Sequence, residues 1–139
     1  MSREDIVAAT MRMAEAINNG SLDDLDTIFD GNVMDHDAAP LPESDMVRYT
    51  SFIDGLRRAF PDLTITPVHI DANDDDVTVI YTLKGTHRGK FLGIAPTGIQ
   101  VDMRGMQVAR FKEGKIVERW GSADDLILLR QLCNDAKAR

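Results

Sequence analysis

The segment Gly85-Thr-His-Arg-Gly-Lys-Phe-Leu-Gly-Ile-Ala-Pro-Thr-Gly98 joins two runs of residues that have the composition of β-strands. It contains four glycines, one proline, one histidine and two cationic side chains, which is more than a tight turn requires. Binding and catalytic residues lie mostly on connecting segments that a rigid scaffold holds in place. We therefore interpret this 85–98 segment as the rim of a pocket.

The residues before the 85–98 segment begin with patterns typical of amphipathic helices. Apolar side chains recur at steps of three and four over residues 2–19, 21–29 and 44–60. Ser2 is the predicted cap of the first helix and Gly20 follows its end, while Pro61 ends the third. The turn-like residues 30–32 are expected to end the second, shorter helix.

Four later runs are rich in Val, Ile, Thr and aromatic residues, which predicts β-strands over 63–71, 77–86, 99–112 and 115–120. Ser122 is then predicted to cap a final helix. Helices followed by a run of antiparallel strands indicate an α+β fold, in which N-terminal helices cover a curved, cone-shaped antiparallel sheet. We expect one domain over residues 1–139, with an interior suited to a small hydrophobic ligand.

Charge and composition argue against several classes of partner. The chain has 16 Lys and Arg against 23 Asp and Glu, a net charge of -7, so it would repel nucleic acid and anionic membranes. Without a long apolar run or a signal-peptide pattern, we expect a cytoplasmic protein. The lone Cys133 is expected to be a packing residue. With no phosphate-binding loop or dinucleotide fingerprint, we expect no cofactor.

Several motifs together resemble the SnoaL-like polyketide cyclase family. They are the 85–98 segment, Glu113-Gly-Lys-Ile116, Glu118-Arg-Trp120 and Leu129-Arg-Gln-Leu132. That family belongs to the superfamily of nuclear transport factor 2, ketosteroid isomerase and limonene epoxide hydrolase. The resemblance implies an α+β cone with an internal ligand cavity, usually in a homodimer.

The catalytic pair of the polyketide cyclases is missing from this sequence. In those enzymes an aspartate near the end of the last strand acts as the general base, and a histidine on the neighbouring strand assists it. Registering the chains on the Gly114-Lys-Ile116 hairpin places the aspartate's position on Gly121 and the histidine's on Gln107. Glycine has no side chain to accept a proton and glutamine is not a base, so any acid–base chemistry needs other residues.

Three residues are candidates for that chemistry: His36, Asp37 and Asp124. His36 lies between Asp35 and Asp37, and a histidine beside carboxylates is suited to act as acid or base. The alternative is a solvated loop in which the aspartates cap turns. Asp124 could replace the missing base at the cavity mouth. Alternatively, its carboxylate could only stabilise the positive end of the dipole at the N-terminus of the final helix. The Asp-His-Asp triplet has too few ligands for a metal site, and we expect none.

Strand alternation predicts which side chains line the interior. It places Met103 and Gln107 on the inner face, where Gln107 would bind one polar group of an otherwise apolar ligand. Further candidate ligand contacts are Phe60, His87 and Trp120. His87 could instead fix the loop by hydrogen bonds, and Trp120 could pack against the last helix or a second subunit.

The same alternation places Met106 and Val108 on the outer face of the sheet, which predicts a homodimer through that face. Two functions remain open. The first is an enzyme that shifts a proton, closes a ring or hydrates a small hydrophobic compound. In it at least two of the side chains should converge on one reacting atom, from the set His36, Asp37, Gln107 and Asp124. The second is a noncatalytic pocket for a hydrophobic metabolite. A partner-binding dimer is a third possibility that no sequence feature favours.

Overall fold

The computed structural model describes residues 1–38, 42–123 and 125–138, which form three α-helices, one 3-10 helix and five strands in α+β order. Along the chain these elements are α1 Arg3–Asn19, the 3-10 helix Leu22–Thr27, β1 Phe29–Asp35, α2 Asp45–Ala59, β2 Thr64–Ala72, β3 Asp76–Thr86, β4 Gln100–Lys112, β5 Lys115–Ala123 and α3 Asp125–Ala138. The prediction of N-terminal helices followed by strands is confirmed.

The five strands form one curved sheet in the order β1-β5-β4-β3-β2. Strands β2 to β5 are antiparallel, as predicted, but β1 pairs in parallel with β5, which makes the sheet mixed. The predicted helix over residues 21–29 is found as a 3-10 helix over Leu22–Thr27, and the prediction was wrong for Ile28 and Phe29. Ile28 and Phe29 continue the helical spacing of Leu22 and Leu25, yet Phe29 begins a strand opposite Ile116.

Side-chain caps position the two helices that cover the concave face. Ser2 and Asp5 form a capping box, in which each side chain accepts a hydrogen bond from the other's backbone N–H. These hydrogen bonds hold the pKa of Asp5 below its usual value. Gly20 ends α1 with φ of 71°, and Ser44 caps α2 by accepting from Val47 N.

The end of α1 is fixed to both α2 and the sheet. Arg57 of α2 donates from Nη1 to the carbonyl oxygens of Ile17 and Asn18 at 2.8 and 2.9 Å, which satisfies acceptors that the helix end leaves open. The Asn18 amide in turn bonds both the N–H and the C=O of Ile65 on β2. The two helices and the edge strand therefore enclose one apolar core with the concave face.

The final helix begins later than the sequence suggested. Ser122 lies in β5 opposite Met106, so the prediction that it caps α3 was wrong. Helix α3 buries Leu128 and Leu132 but leaves Cys133 exposed, contrary to the predicted packing role. No helix in the described parts of the chain is long and apolar enough to cross a membrane.

The 85–98 segment is tied to the end of α2 by hydrogen bonds. The N–H groups of Arg88 and Gly89 both donate to Ala59 O, at 2.9 and 3.0 Å. His87 is fully buried; its backbone bonds Ile99 and Gly98, and its Nδ1 lies 3.0 Å from Thr97 Oγ1. The segment is therefore anchored at its base.

Gly89 is required at this anchor, because a Cβ there would overlap the carbonyl oxygen of Arg58. We expect Gly89→Ala to destabilise the protein by about 1–3 kcal/mol, since backbone cannot move aside as a side chain can. Gly55→Ala is the matched control: it lies in α2, where no described atom would meet the new Cβ, and should be neutral or stabilising. Urea unfolding of both variants measures the difference. Equal stability of the two would contradict the tight anchor.

Candidate functional site

An apolar chamber lies between helices α1 and α2 and the concave face of the sheet. Its volume is about 90 Å³. It is lined by Thr10, Met13, Ala14, Ile17, Tyr49, Phe52, Ile53, Leu56, Ile65, Pro67, Val79, Tyr81, Leu83, Phe91, Met103, Gln107, Arg119, Ala123 and Leu128. Pockets for drug-sized ligands are larger, about 300–1,000 Å³, so this inner chamber alone accommodates a small ring.

A second, more polar chamber adjoins the first. Its volume is about 230 Å³, and it shares Tyr49, Phe52, Tyr81, Arg119 and Ala123 with the inner chamber. Its other lining residues are Asp35, Asp37, Ala38, Arg48, Gly121 and Ser122. An apolar interior thus continues into a polar outer chamber, and together the two approach the size of an ordinary ligand site.

Arg119 lies at the junction of the chambers and is held from two sides. Its Nη1 donates to both carboxylate oxygens of Asp35, each at 2.8 Å, and its Nε donates to Gln107 Oε1 at 3.0 Å. Gln107 is fixed in turn by a 3.5 Å contact from Nε2 to Met13 Sδ. The guanidinium also lies over the ring of Tyr49, 4.7 Å from its centre. Arg119 is therefore fixed in one orientation.

The sheet register brings these side chains together. Asp35, the last residue of β1, lies opposite Arg119 on β5, and Gln107 on β4 lies opposite Gly121. Alternation along β5 places Arg119 and position 121 on the same concave face, so the arginine side chain extends over the glycine. A Cβ at position 121 would overlap Arg119 Nη2. The arginine thus occupies the space that a side chain at position 121 would need.

The Asp35–Arg119 ion pair is nearly removed from solvent. The exposed fractions of the two side chains are 2% and 12%. Asp35 Oδ1 accepts a further hydrogen bond from Asp37 N at 3.0 Å, and Asp35 N donates to Asp45 Oδ2 at 2.8 Å. Breaking a buried pair of this kind by removing one partner typically costs ~3–5 kcal/mol, because the other charge stays buried and unpaired.

One nitrogen of Arg119 is left for a ligand. Nε and Nη1 donate to Gln107 and Asp35, whereas Nη2 has no hydrogen-bond acceptor among the described residues. Nη2 lies over Gly121, which lines the outer chamber. A guanidinium fixed through two of its nitrogens presents its third as a preorganised donor for an oxygen atom.

Two tyrosine side chains line both chambers, Tyr49 and Tyr81. Burial raises the pKa of Tyr49 well above its ordinary value, and the opposing attraction of Arg119 is the smaller effect. Tyr49 therefore stays a neutral phenol at physiological pH. The ring of Tyr81 lies where a Cβ on Gly105 would be, so it lies close against the β4 backbone.

Asp37 is the predicted catalytic residue that reaches this site. It lines the outer chamber, and its Oδ2 accepts a hydrogen bond from Gly121 N at 2.7 Å. Gln107 and Met103 also line the inner chamber, where strand alternation had placed them. Asp124 lies outside the described residues.

His36 and Trp120 do not join these residues. His36 Nε2 bonds Glu118 Oε2 at 2.7 Å, and its ring stacks on that of Trp120 with centres 4.6 Å apart. Because Asp35 and Arg119 face the concave side, their neighbours His36, Glu118 and Trp120 face the opposite side. Of the side chains from which at least two were expected to converge, His36 therefore lies apart from Asp37 and Gln107.

Phe60 and His87 are both fully buried and pack against each other, with ring centres 5.6 Å apart. Neither belongs to the described lining of the two chambers, whereas Phe91, which packs on Phe60, does. In the described parts of the chain, no three His, Cys, Asp or Glu side chains are grouped as metal ligands.

The sequence interpretation missed Asp35, Arg119 and the tyrosines as site residues. A signal for Arg119 was present, because its strand parity matches that of Gly121 and so places a charge on the buried face. Such a charge requires a partner. That partner lies 84 residues away on a strand that the sequence pattern did not predict.

Comparisons with known proteins agree with this fold. The family model described as SnoaL-like polyketide cyclase matches residues 7–132. The structure of AclR, a proposed hydroxylase from Streptomyces galilaeus, is 29% identical, with a TM-score of 0.85 over 96% of this chain and 83% of that one. No curated protein sequence matches.

Two further structures have similar folds. IdmH, a proposed polyketide cyclase from Streptomyces antibioticus, is 27% identical, with a TM-score of 0.81 over 91% of this chain and 97% of that one. TsrD from Streptomyces laurentii is 21% identical, with a TM-score of 0.86 over 95% and 97% of the two chains, a likeness of fold alone.

The overlap between Arg119 and position 121 leads to a first prediction for the site. Gly121→Ala should displace the guanidinium and strain the Asp35 pair, which lowers stability by about 1–3 kcal/mol. Gly31→Ala is the matched strand control, since no described atom lies within 4 Å of a Cβ there. Denaturant unfolding compares them. A Gly121→Ala protein as stable as the Gly31→Ala protein would show that the arginine is not confined.

The raised pKa of Tyr49 leads to a second prediction. Burial in the folded state favours the protonated phenol of Tyr49. The stabilisation that results is fully present below pH 10.0, the ordinary tyrosine pKa, and is lost as the pH rises above that value. Tyr49 and Tyr81 are the chain's two tyrosines. In a Tyr81→Phe protein, the ultraviolet absorbance change of tyrosinate should therefore appear only as the protein unfolds. Ionisation near pH 10.0 in the folded protein would contradict the burial.

Proposed function

Because the chain belongs to the SnoaL-like polyketide cyclase family, we propose that its two chambers bind a small hydrophobic molecule through one of its oxygen atoms. The observation that carries this proposal is the fixed Arg119 guanidinium, whose Nη2 lies at the junction of an apolar and a polar chamber. The ligand's ring would occupy the apolar chamber, and its oxygen would accept a hydrogen bond from Nη2.

The reaction proposed for this site is a proton shift or ring closure of the cyclase and isomerase type. Such a reaction needs a base that removes a proton from carbon beside a carbonyl group, and a donor that stabilises the enolate oxygen that forms. Arg119 Nη2 would be the donor. Asp37 would be the base, because its carboxylate lies in the outer chamber and hydrogen-bonds the backbone of Gly121.

In the isomerase form of this step, Asp37 takes the proton and its carboxylic acid returns it to a different carbon. In ring closure, the enolate carbon attacks a second carbonyl carbon, and the resulting alkoxide takes the proton. Asp35 is unsuited to either role, since Arg119 holds both of its oxygens. The descriptions of IdmH as a proposed cyclase and AclR as a proposed hydroxylase differ, so the two comparisons support a shared fold and favour no single reaction.

The alternative is a noncatalytic binding protein for a hydrophobic metabolite. Gly121 and Gln107 favour it, since they occupy the positions at which the resemblance implies a catalytic aspartate and histidine. Here Gln107 holds Arg119 in place and has no role as a base. The two proposals share the ligand site and differ in whether Asp37 removes a proton.

Hydrogen exchange on a simple ketone separates the two. Cyclohexanone in D₂O, followed by NMR, should exchange its α-hydrogens faster with the protein than in buffer. Asp37→Asn should reduce that rate by about 100-fold, the usual size of a general-base effect. Asp74→Asn, an exposed carboxylate in the β2–β3 turn, is the control and should have no effect. Binding of cyclohexanone without faster exchange would select the noncatalytic alternative.

We further propose that the outer sheet face pairs with a second copy of the chain. The register places Ile80 beside Met106 and Val108 beside Trp120 on that face, and Met106 is 45% exposed. An apolar patch of this kind is typical of subunit interfaces.

Light scattering of the purified protein should therefore give the mass of a dimer, and Met106→Lys should shift it towards 15.4 kDa. Thr78→Lys, on the same face of β3 at the level of Val108, tests whether the interface extends to that side. A wild-type protein whose mass by light scattering is that of one chain would overturn this proposal.

A further inference from the structure

We propose that this cavity selects the anionic form of its ligand, so that a phenolate or enolate oxygen in the outer chamber is bound by Arg119 Nη2. The inference rests on the proposed ligand cavity and adds the charge state of what enters it. The preferred ligands are then acidic phenols and enols, together with ketones whose enolate forms in the site, whereas neutral hydrocarbons, ethers and simple alcohols are poorer ligands.

Arg119 Nη2 lies where a Cβ at position 121 would be, so the guanidinium and a side chain at that position exclude each other. A carboxylate base on this residue cannot coexist with the arginine as it is held here. The site therefore presents a fixed cation at the place where a base would present an anion.

The guanidinium of Arg119 is firmly held by its neighbours. Asp35 accepts hydrogen bonds from Nη1 at 2.8 Å and Gln107 accepts one from Nε at 3.0 Å. The Tyr49 ring lies against the guanidinium. Little side-chain entropy remains to be lost when an oxygen binds Nη2. A hydrogen bond between a guanidinium and an anionic oxygen is roughly twice as strong as one between neutral groups.

Other charged and titratable groups also face Arg119 Nη2. From β1 and the turn after it come Asp35 and Asp37, from α2 come Arg48 and the neutral Tyr49, and from β3 comes Tyr81. The Asp35 carboxylate is bound to Nη1 of Arg119 and leaves Nη2 open. The same carboxylate also accepts a hydrogen bond from the backbone N–H of Asp37. Asp37 Oδ2 is bound to Gly121 N. Asp37 keeps its negative charge in this hydrogen bond, but its side chain is exposed to solvent, which screens it, whereas the Arg119 guanidinium contacts the ligand oxygen directly.

The medium around the Arg119 site differs between the two chambers. The inner chamber is lined mostly by carbon, which strengthens the attraction between Arg119 and an anion. The same surroundings impose a desolvation cost on that anion. The outer chamber, with its polar lining, lets the oxygen keep part of its hydration while the ring is buried. The net preference for the anion is then about tenfold, the size of one charge-assisted hydrogen bond after desolvation.

Binding of 4-nitrophenol tests this inference directly, because its anion absorbs visible light and its neutral form does not. On binding, the phenol's O–H bond breaks, its proton goes to the buffer, and the anion stays at Nη2. We expect the pKa of the bound phenol to fall by about one unit, which corresponds to the tenfold preference. The matched probe 4-nitroanisole has no proton to lose and should bind about tenfold more weakly than the anion.

Two variants assign the effect to Arg119. Arg119→Met in an Asp35→Asn background removes both charges of the pair and so avoids leaving Asp35 buried and unpaired. It should abolish the pKa shift while the two probes come to bind equally well. Arg110→Met, which removes an exposed cation from the outer face, should keep the full shift.

The outcomes distinguish this inference from the proposal beneath it. If both probes bind and the phenol's pKa is unchanged or raised, the cavity stands and selection of the anion is overturned. If neither probe binds, the proposed ligand site itself fails. A shift that survives in the double variant would place the responsible cation elsewhere. The wild-type titration against 4-nitroanisole decides the question even if the double variant does not fold.

Discussion

The ion pair between Asp35 and Arg119 connects the fold of this protein to its cavity. It joins the last residue of β1 to the middle of β5, and so it accompanies the one parallel pairing in a sheet that is otherwise antiparallel. The same contact gives the concave face a polar group at the meeting point of two chambers. A buried pair of this kind contributes little net stability, but its geometry is fixed, because moving either charge leaves the other unsatisfied.

Glycines shape the concave face as much as the larger residues do. Arg119 lies over Gly121 and the Tyr81 ring lies over Gly105, and at both positions a Cβ would overlap the side chain above it. Two polar side chains can therefore lie flat against the strands, which leaves the space above them to the chambers. From the family resemblance alone, Gly121 is only the loss of a catalytic aspartate side chain. In the structure, the glycine is what admits the arginine.

The sequence predicted those elements whose signals are local. The capped helices α1 and α2 and the strands β2 to β5 were found because side-chain periodicity, turn residues and Pro61 mark them within a few residues. Strand alternation also placed Gln107 and Met103 correctly on the cavity. Strand β1 was missed because its pairing with β5 is parallel and distant in sequence, and because residues 30–32 resemble a helix stop. Without β1, nothing indicated that Asp35 faces inward and His36 outward.

The amide ties that fix α1 and α3 to the sheet have a further consequence for the behaviour of the folded chain in concentrated solution. Asn18 occupies the free hydrogen-bonding groups of Ile65 on the edge strand β2, where Pro67 has no N–H and the register shifts between Pro67 and His69. Gln131 likewise bonds both backbone groups of Asp102 on β4, beyond the end of its pairing with β5. Open strand edges invite the strands of other molecules and lead to aggregation. Two side-chain amides therefore protect the molecule from forming intermolecular sheets.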